Sequence, residues 1–468
     1  MRLLLILLML LVTACNPLRP GRSATPQLPA SYAVSQPETG MQLPDRWWEV
    51  FADPQLNRLQ QEMLGGNLSL RQALYRLEQL AALQRMSGAS LWPMLNLTAA
   101  KSREHAPAIN GSSTSDSTRV SLAASYEIDL WNRLHDEKAA AQLQLQAGKK
   151  ETQTLLLSLS AQLAETYFLN IEQRGQLALI RQQIDRTERL LTTARDRYRA
   201  GLATAEEIYQ AENSLAALNA SLPPLQTALQ QSEHSIALLL GRHSTPLATK
   251  SPSLPQLTAA IDTGLPASLM TKRPDIAANL IQLQAVDHEL AAALAARLPA
   301  INLSATLGHS STQLASGNVA GTIWSLIASL TQPLLDGGRR QAEVDRQQAI
   351  KAEQLTELQE TLLTAVQEVE TALNADQNSA ARYQQLERQH FFSAQNLALS
   401  RSNYRSGLVT SSVPLAAELE HLTLLRQQLS AQREWLSSRI SLARALGGEW
   451  MSGALAKQLQ ALNAQEDK

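Results

Sequence analysis

The 468-residue chain has one cysteine, Cys15, which leaves no partner for a disulfide and no cysteine-built metal site. Phenylalanine, tryptophan and tyrosine together make up 4% of it; Ala, Leu and Gln dominate instead, a composition suited to long packed helices. Neither sign of charge prevails: 41 basic against 42 acidic residues give a net charge of −1, so there is no electrostatic footprint for nucleic acid. No run of 18 or more apolar residues occurs, and any crossing of a bilayer would have to be made of strands. Proline is missing over 132–200 and 338–406. The eight histidines lack metal-ligand spacing; His288 with Glu289, His390 and His421 read as solvated helix surface. With no catalytic constellation and no phosphate loop, the chain reads as a non-enzyme without metal or cofactor, and transport energy would have to come from a partner.

What the chain does hold is a second version of its first half. Tyr198-Arg199-Ala200-Gly201-Leu202 returns as Tyr404-Arg405-Ser406-Gly407-Leu408, an offset of 206 (404 − 198). Pro93-Met94-Leu95-Asn96-Leu97 returns as Pro299-Ala300-Ile301-Asn302-Leu303 at that offset, as do Ala237, Leu240 and Gly241 as Ala443, Leu446 and Gly447. The segments LWNR (130–133) and LDGGR (335–339) match one residue out of step. So long a period is not that of a solenoid; it marks one duplicated unit. The expected organisation is a first repeat over 47–250, a second over 251–450 and a C-terminal tail over 451–468.

The N-terminus reads as a targeting signal over 1–14. Met1-Arg2 supplies charge, residues 3–11 form an apolar core too short to span, and Val12-Thr13-Ala14 place small residues before Cys15. This is the pattern of a bacterial lipoprotein signal, with Cys15 taking a diacylglycerol and an acyl chain; the alternative is a plain secretory signal with an incidental cysteine. Asn16, where aspartate would signal inner-membrane retention, favours the outer membrane. Residues 15–46, rich in Pro, Ser and Gln, read as a tether.

Beyond it the period of the pattern alternates between that of helix and that of strand. Asp53 reads as an N-cap and Pro54 as the first helical position. Helices are expected at about 53–90 (broken near Gly65-Gly66), 132–200 and 205–241, and again at about 274–297, 338–406 and 414–447. Strands are expected at about 93–131 and 299–335, where apolar residues such as Leu95, Leu97, Val120 and Leu122 alternate with polar ones, each strand being about ten residues or slightly more. Glycine- and serine-rich loops, 110–118 in the first hairpin, would separate the strands. Two soluble hairpins on a core are the alternative. Stripes along the long helices (Leu157, Ala161, Ala164, Phe168, Ile171; Leu355, Leu358, Leu362, Val366, Val369, Leu373) suit coiled-coil packing.

Four strands cannot close a barrel, and open edges in lipid would strand backbone groups at several kcal/mol each. The chain must therefore assemble: two copies would give eight strands, three would give twelve and room for water, and the small Ser, Thr, Ala, Asn and Gly of the polar faces favour three.

Read in order, the lipobox ending at Cys15, WWEVFADPQL (47–56), YEIDLW (126–131), RPDI (273–276), PLLDGGRR (333–340) and the two Tyr-x-x-Gly turns resemble the TolC-like outer-membrane factors, in the lipoprotein branch serving tripartite, RND-type efflux systems. The resemblance covers essentially the whole chain. It implies a mainly α fold with four membrane strands and long coiled-coil helices per chain. It implies a homotrimer, with a 12-stranded barrel in the outer membrane continuous with a helical tunnel in the periplasm. It also implies a passive exit duct for drugs or other small toxic compounds, hence antibiotic resistance, with an inner-membrane pump and a periplasmic adaptor as partners. Other readings are the duct of a type I protein exporter and a lipid-tethered periplasmic coiled-coil scaffold.

The same resemblance implies that Tyr198, Gly201, Leu202, Tyr404, Gly407 and Leu408 form periplasmic tips that meet the adaptor, each glycine being at least a structural C-cap. Better-known members carry an acidic pair just after the second turn. Here Val413 and Ala416 take those positions, while Glu206 and Glu207 follow the first turn. The expected gate is therefore Glu206, Glu207, Val413 and Ala416, closing by apolar contact and by tip ion pairs with Arg195, Arg197 or Arg405.

Overall fold

The computed structural model describes residues 29, 31–33, 41, 44, 46–108, 111–243, 253–257, 261–264, 266–314, 317–410, 412–448 and 450–466. The signal segment and Cys15 lie outside the described residues.

Asp53 starts the first helix, α1 (Pro54–Gly66), as an N-cap: its carboxylate accepts from the backbone N–H groups of Gln55 and Leu56 at 2.8 and 3.1 Å. Helix α2 (Leu68–Ala89) follows after Asn67 and leads into strands β1 (Met94–Ala108) and β2 (Gly111–Ile128). Helices α3 (Arg133–Arg199) and α4 (Ala205–Leu239) complete the first half. The second half runs as a single-turn α5 (Leu269–Lys272), then α6 (Pro274–Ala295), β3 (Ala300–Leu314), β4 (Gly317–Thr331), α7 (Arg339–Arg405) and α8 (Ser412–Leu446). Residues of the expected tail form helix α9 (Trp450–Glu466).

The duplication is visible to the residue. Strands β1 and β3 start and end 206 apart (300 − 94, 314 − 108), as do the two 67-residue helices α3 and α7. It extends to the packing. Gly241 (φ +70°) lets the end of α4 press on Gly66, and Gly447 (φ +78°) lets the end of α8 press on Lys272. Asn67 donates to the carbonyl of Leu239 at 2.8 Å, and Arg273, 206 later, donates to that of Ala445 at 3.1 Å. Arg273 is also held by Asp275 and Glu368 at 2.6 Å each, which gives the RPDI segment its role: it anchors the helix junction.

Two compact units cut across the two repeats. One contains Tyr75–Lys150 with Ala277–Glu360; the other contains the described parts of Gln27–Leu74, Glu151–Ile276 and Thr361–Lys468. The first holds one antiparallel sheet in the order β1-β2-β3-β4. The second holds the aromatic cluster of Trp47, Trp48, Phe51, Phe168 and Trp450, where few aromatics are concentrated at one place. Trp47 is 1% exposed and its indole N–H donates to Ser160 at 3.1 Å. Leu157, Ala161, Ala164, Phe168 and Ile171 are buried there, as their spacing predicts.

Several expectations need correcting. The strands have 15, 18, 15 and 15 residues, so the Ser/Gly-rich stretches belong to them rather than to loops. There, polar cross-strand pairs such as Ser102 Oγ with Ser117 Oγ (2.7 Å) and His105 Nδ1 with Thr114 Oγ1 (2.8 Å) continue the ladder without apolar alternation. Helix α8 starts at Ser412, two residues before Pro414, because a proline in a first turn removes no helical hydrogen bond. His288 is not simply solvated: its Nδ1 meets Asp136 at 2.7 Å, and Gln144 donates to Glu289 at 2.6 Å.

Candidate functional site

Two features could carry function, and each is built from its own residues. The first is the sheet. Because opposed residues share a face, the register gathers Leu97, Leu122, Leu307 and Trp324 into one cross-strand row, and Leu95, Ala124, Ala305 and Leu326 into the next. Tyr126, Leu303 and Ala328 follow, then Ile128, Ile301 and Leu330. Trp324 is 75% exposed and Leu326 73%. The other face carries rows such as Asn96, Ala123, Thr306 and Ser325. It is lined closely: a side chain on Gly308 would bring a Cβ to 2.7 Å from that of Ser121. Strand β4 departs from the pattern, with Ile323 and Ile327 on this small polar face. A band of apolar side chains over one face and small polar ones over the other matches a sheet between lipid and water.

The second feature is the pair of helix turns. At the first, Gly201 takes φ +72° and the N–H of Leu202 reaches the carbonyl of Arg197 at 2.8 Å, while Gly201 donates to Tyr198 at 2.9 Å. At the second, Gly407 takes φ +71°, Leu408 reaches Asn403 at 2.9 Å and Gly407 reaches Tyr404 at 3.0 Å. Both are Schellman caps, which need glycine at the left-handed position. The caps leave apolar groups in solvent: Leu202 and Leu408 are 69% and 74% exposed, with Tyr198 and Tyr404 about half exposed. A pair of capped turns that present tyrosine and leucine is a compact apolar surface on a rigid base.

The expected gate residues are partly brought together. Glu207, Ala416 and Tyr404 line one cavity of about 460 Å³ with Arg186, Arg189 and Glu418. Glu206 is exposed and accepts from Gln210 at 3.1 Å, and Val413 is 42% exposed. Arg195 pairs with Glu212 at 2.7 Å.

Sequence reasoning missed the groups around that cavity. Glu418 is held by Arg186 and Arg401 at 3.0 Å each. Near it His390 and His421 stack with ring centroids 4.9 Å apart, and His421 Nδ1 lies 3.2 Å from Ser393 Oγ. Burial first, then the neighbouring His390 and Arg401, hold His421 below the ordinary histidine value, against the pull of Glu418. It also missed a buried polar seam along α3. Glu172 is gripped by Arg433 (2.9 Å) and Ser430 (2.6 Å), Gln176 bonds Arg426 and Ser430 (2.9 Å each), and Asn170 bonds Ser232 (2.8 Å). Among the described residues no group of three or more His, Cys, Asp or Glu is placed to hold a metal ion.

The sequence profile described as "Outer membrane efflux protein" matches residues 59–242 and 265–448, once per repeat. The chain is 29% identical over 462 residues to the pyoverdine export outer membrane protein OpmQ of Pseudomonas putida, covering 96% of this chain and 98% of that protein. It is 30% identical over 415 residues to the outer membrane protein OprJ of Pseudomonas aeruginosa, covering 87% of each. Among solved structures, a membrane protein from Pseudomonas aeruginosa matches with a TM-score of 0.82 at 30% identity, over 93% of this chain and 97% of that one.

Proposed function

The chain belongs to the outer membrane efflux protein family, whose members are outer-membrane channels of efflux pumps and not enzymes, and from that premise we propose that three copies close into a passive exit duct for small organic compounds. Three four-stranded sheets make a 12-stranded barrel, their apolar bands toward lipid and their small polar faces toward a wet bore. The helical part then forms a periplasmic tunnel. Its turns, through Tyr198, Gly201, Leu202, Tyr404, Gly407 and Leu408, dock a periplasmic adaptor that links the duct to an inner-membrane pump. Glu206, Glu207, Val413 and Ala416 lie beside those turns as the closure. Cys15 carries the lipid anchor.

The single observation behind this reading is a sheet of four strands with two open edges and unlike faces, which is complete only as part of a ring in a membrane. Small cargo rather than protein is favoured by the relatives, whose names include pyoverdine export and toluene efflux. Removing the chain from its host should lower tolerance to a panel of small organic toxicants. The wild-type chain should restore it, and a Tyr198→Ala, Leu202→Ala, Tyr404→Ala, Leu408→Ala variant that still reaches the outer membrane should not. Unchanged tolerance across the panel would count against the efflux role, and full restoration by the variant against docking at the turns.

A further inference from the structure

The apolar face of the sheet changes character along its height. Residues of one face are two apart along a strand, and the rows nearest the helices, from Ile301 to Leu307 on β3, carry Ile, Leu, Ala, Tyr and Trp. The next row, Ala99, Val120, His309 and Thr322, is mixed. Beyond it the face turns basic on β1, where the segment Lys101-Ser102-Arg103-Glu104-His105 puts its three bases on this side and Ser102 and Glu104 on the other. The bases stand beside Thr118 and Asp116 of β2, with Ser311 and Gln313 further across on β3. Among the described residues Asp116 is the one carboxylate on this part of the face. The opposite face at the same height is balanced, with Arg119 against Glu104.

We propose that Lys101 and Arg103 bind the phosphate groups of an anionic glycolipid in the outer leaflet of the membrane. This rests on the reading of the sheet as part of a membrane-spanning ring, and adds to it a lipid held on the outside of that ring. Three observations converge. First, the height is right. Ser311, in the row of Lys101, is ten residues beyond Ile301 (311 − 301). At about 3.3 Å per residue and a tilt of about 40°, that is about 25 Å, the height of the apolar band of such barrels. Both cations therefore stand where hydrocarbon gives way to headgroups, with their aliphatic stems lying on the band below. Second, the charges are available. Lys101 is exposed and has no ion-pair partner among the described residues; the Arg103 side chain is 76% exposed, with Asp116 at 3.6 Å. Third, the neighbours are hydroxyl and amide groups, Thr118, Ser311 and Gln313, which can bond sugar hydroxyls beside a phosphate. A phospholipid head of the ethanolamine kind would instead bring its own cation against Lys101.

The test is a titration of the full-length protein, purified in detergent, with diphosphoryl lipid A, the bound lipid being counted by native mass spectrometry. Each cation at an anionic lipid surface is worth about fivefold in affinity, so Lys101→Gln with Arg103→Gln should bind about twenty-five-fold more weakly than wild type. Lys101→Gln alone, for use if the double variant assembles poorly, should lose about fivefold. Asp116→Asn, which removes the carboxylate beside Arg103, should bind more tightly than wild type, a gain that a merely structural role would not give. Arg119→Gln, on the opposite face, should bind as wild type does. Equal affinity of wild type and the double variant, or an equal loss in Arg119→Gln, would overturn the site. Phosphatidylglycerol bound as tightly as lipid A, with the same loss in the double variant, would overturn the glycolipid in favour of a phospholipid head. Any of these results in chains that run as heat-sensitive trimers leaves the ring intact. Chains that never run above monomer mass would instead overturn the ring itself.

Discussion

At the scale of single residues, the charged and polar groups divide into those that hold the structure and those poised to respond. Arg273 belongs to the first kind, since it spans Asp275, Glu368 and the carbonyl of Ala445 from a nearly buried position. The pair Asp376–Arg439, with both side chains buried and Trp435 donating to the same carboxylate, belongs there too. His421 belongs to the second kind. Its proton affinity is lower in the folded state than the ordinary value of 6.5, so the folded state takes up a proton less readily than the unfolded chain. The stability it contributes is present above about pH 6.5 and is lost as pH falls through the lowered value. The groups facing it are His390, Ser393 and Arg401 of α7 and Glu418 of its own helix, the last tied to Arg186 of α3. Acidification from about pH 7.5 to 5 should therefore lower the thermal midpoint of the wild type more than that of His421→Gln. Equal losses in the two proteins would show that His421 does not titrate in this range.

At the scale of elements, the two turns give the plainest expectation. Gly201 and Gly407 hold left-handed conformations with open space where a Cβ would go, so alanine there meets backbone strain and no clash. Gly201→Ala and Gly407→Ala should each cost about 1–2 kcal/mol, expressed as fraying of the turn. Tryptic cleavage at Arg199 or Arg405, the last residues of α3 and α7, should accelerate in the respective variant. No change in cleavage would mean that the caps do not limit fraying. Much of this level was legible in sequence, because Tyr-x-x-Gly, Asp53-Pro54 and proline-free heptads act locally. The rest was hidden for physical reasons. Ser and Thr in strands 111–118 and 309–314 carry no apolar alternation, so a ladder there leaves no periodic trace. Glu172, Gln173 and Gln176 are buried, each no more than 9% exposed, because partners on neighbouring helices satisfy them, and a partner distant in sequence cannot be read from the residue itself.

At the scale of the whole molecule, the described residues supply four strands with two unlike faces and two capped helical hairpins, and the sheet they form has two open edges. Duplication explains why: each repeat brings one strand hairpin and one pair of helices, so the proposed ring of three copies would approximate sixfold symmetry around its bore. The repeats part company at the turns, where Glu206 and Glu207 follow Gly201 but Val413 and Pro414 follow Gly407. That difference is where two kinds of adaptor contact, and the closure, are expected. The account stands on the chain being an open-ended duct once assembled. Its most direct test is single-channel recording of the purified full-length protein in planar bilayers. Discrete current steps should appear, scaling with salt concentration and vanishing when the protein is heated to monomer before reconstitution. A trimeric preparation that inserts into the bilayer and never conducts, even with the turns loosened by Gly201→Ala and Gly407→Ala, would contradict it.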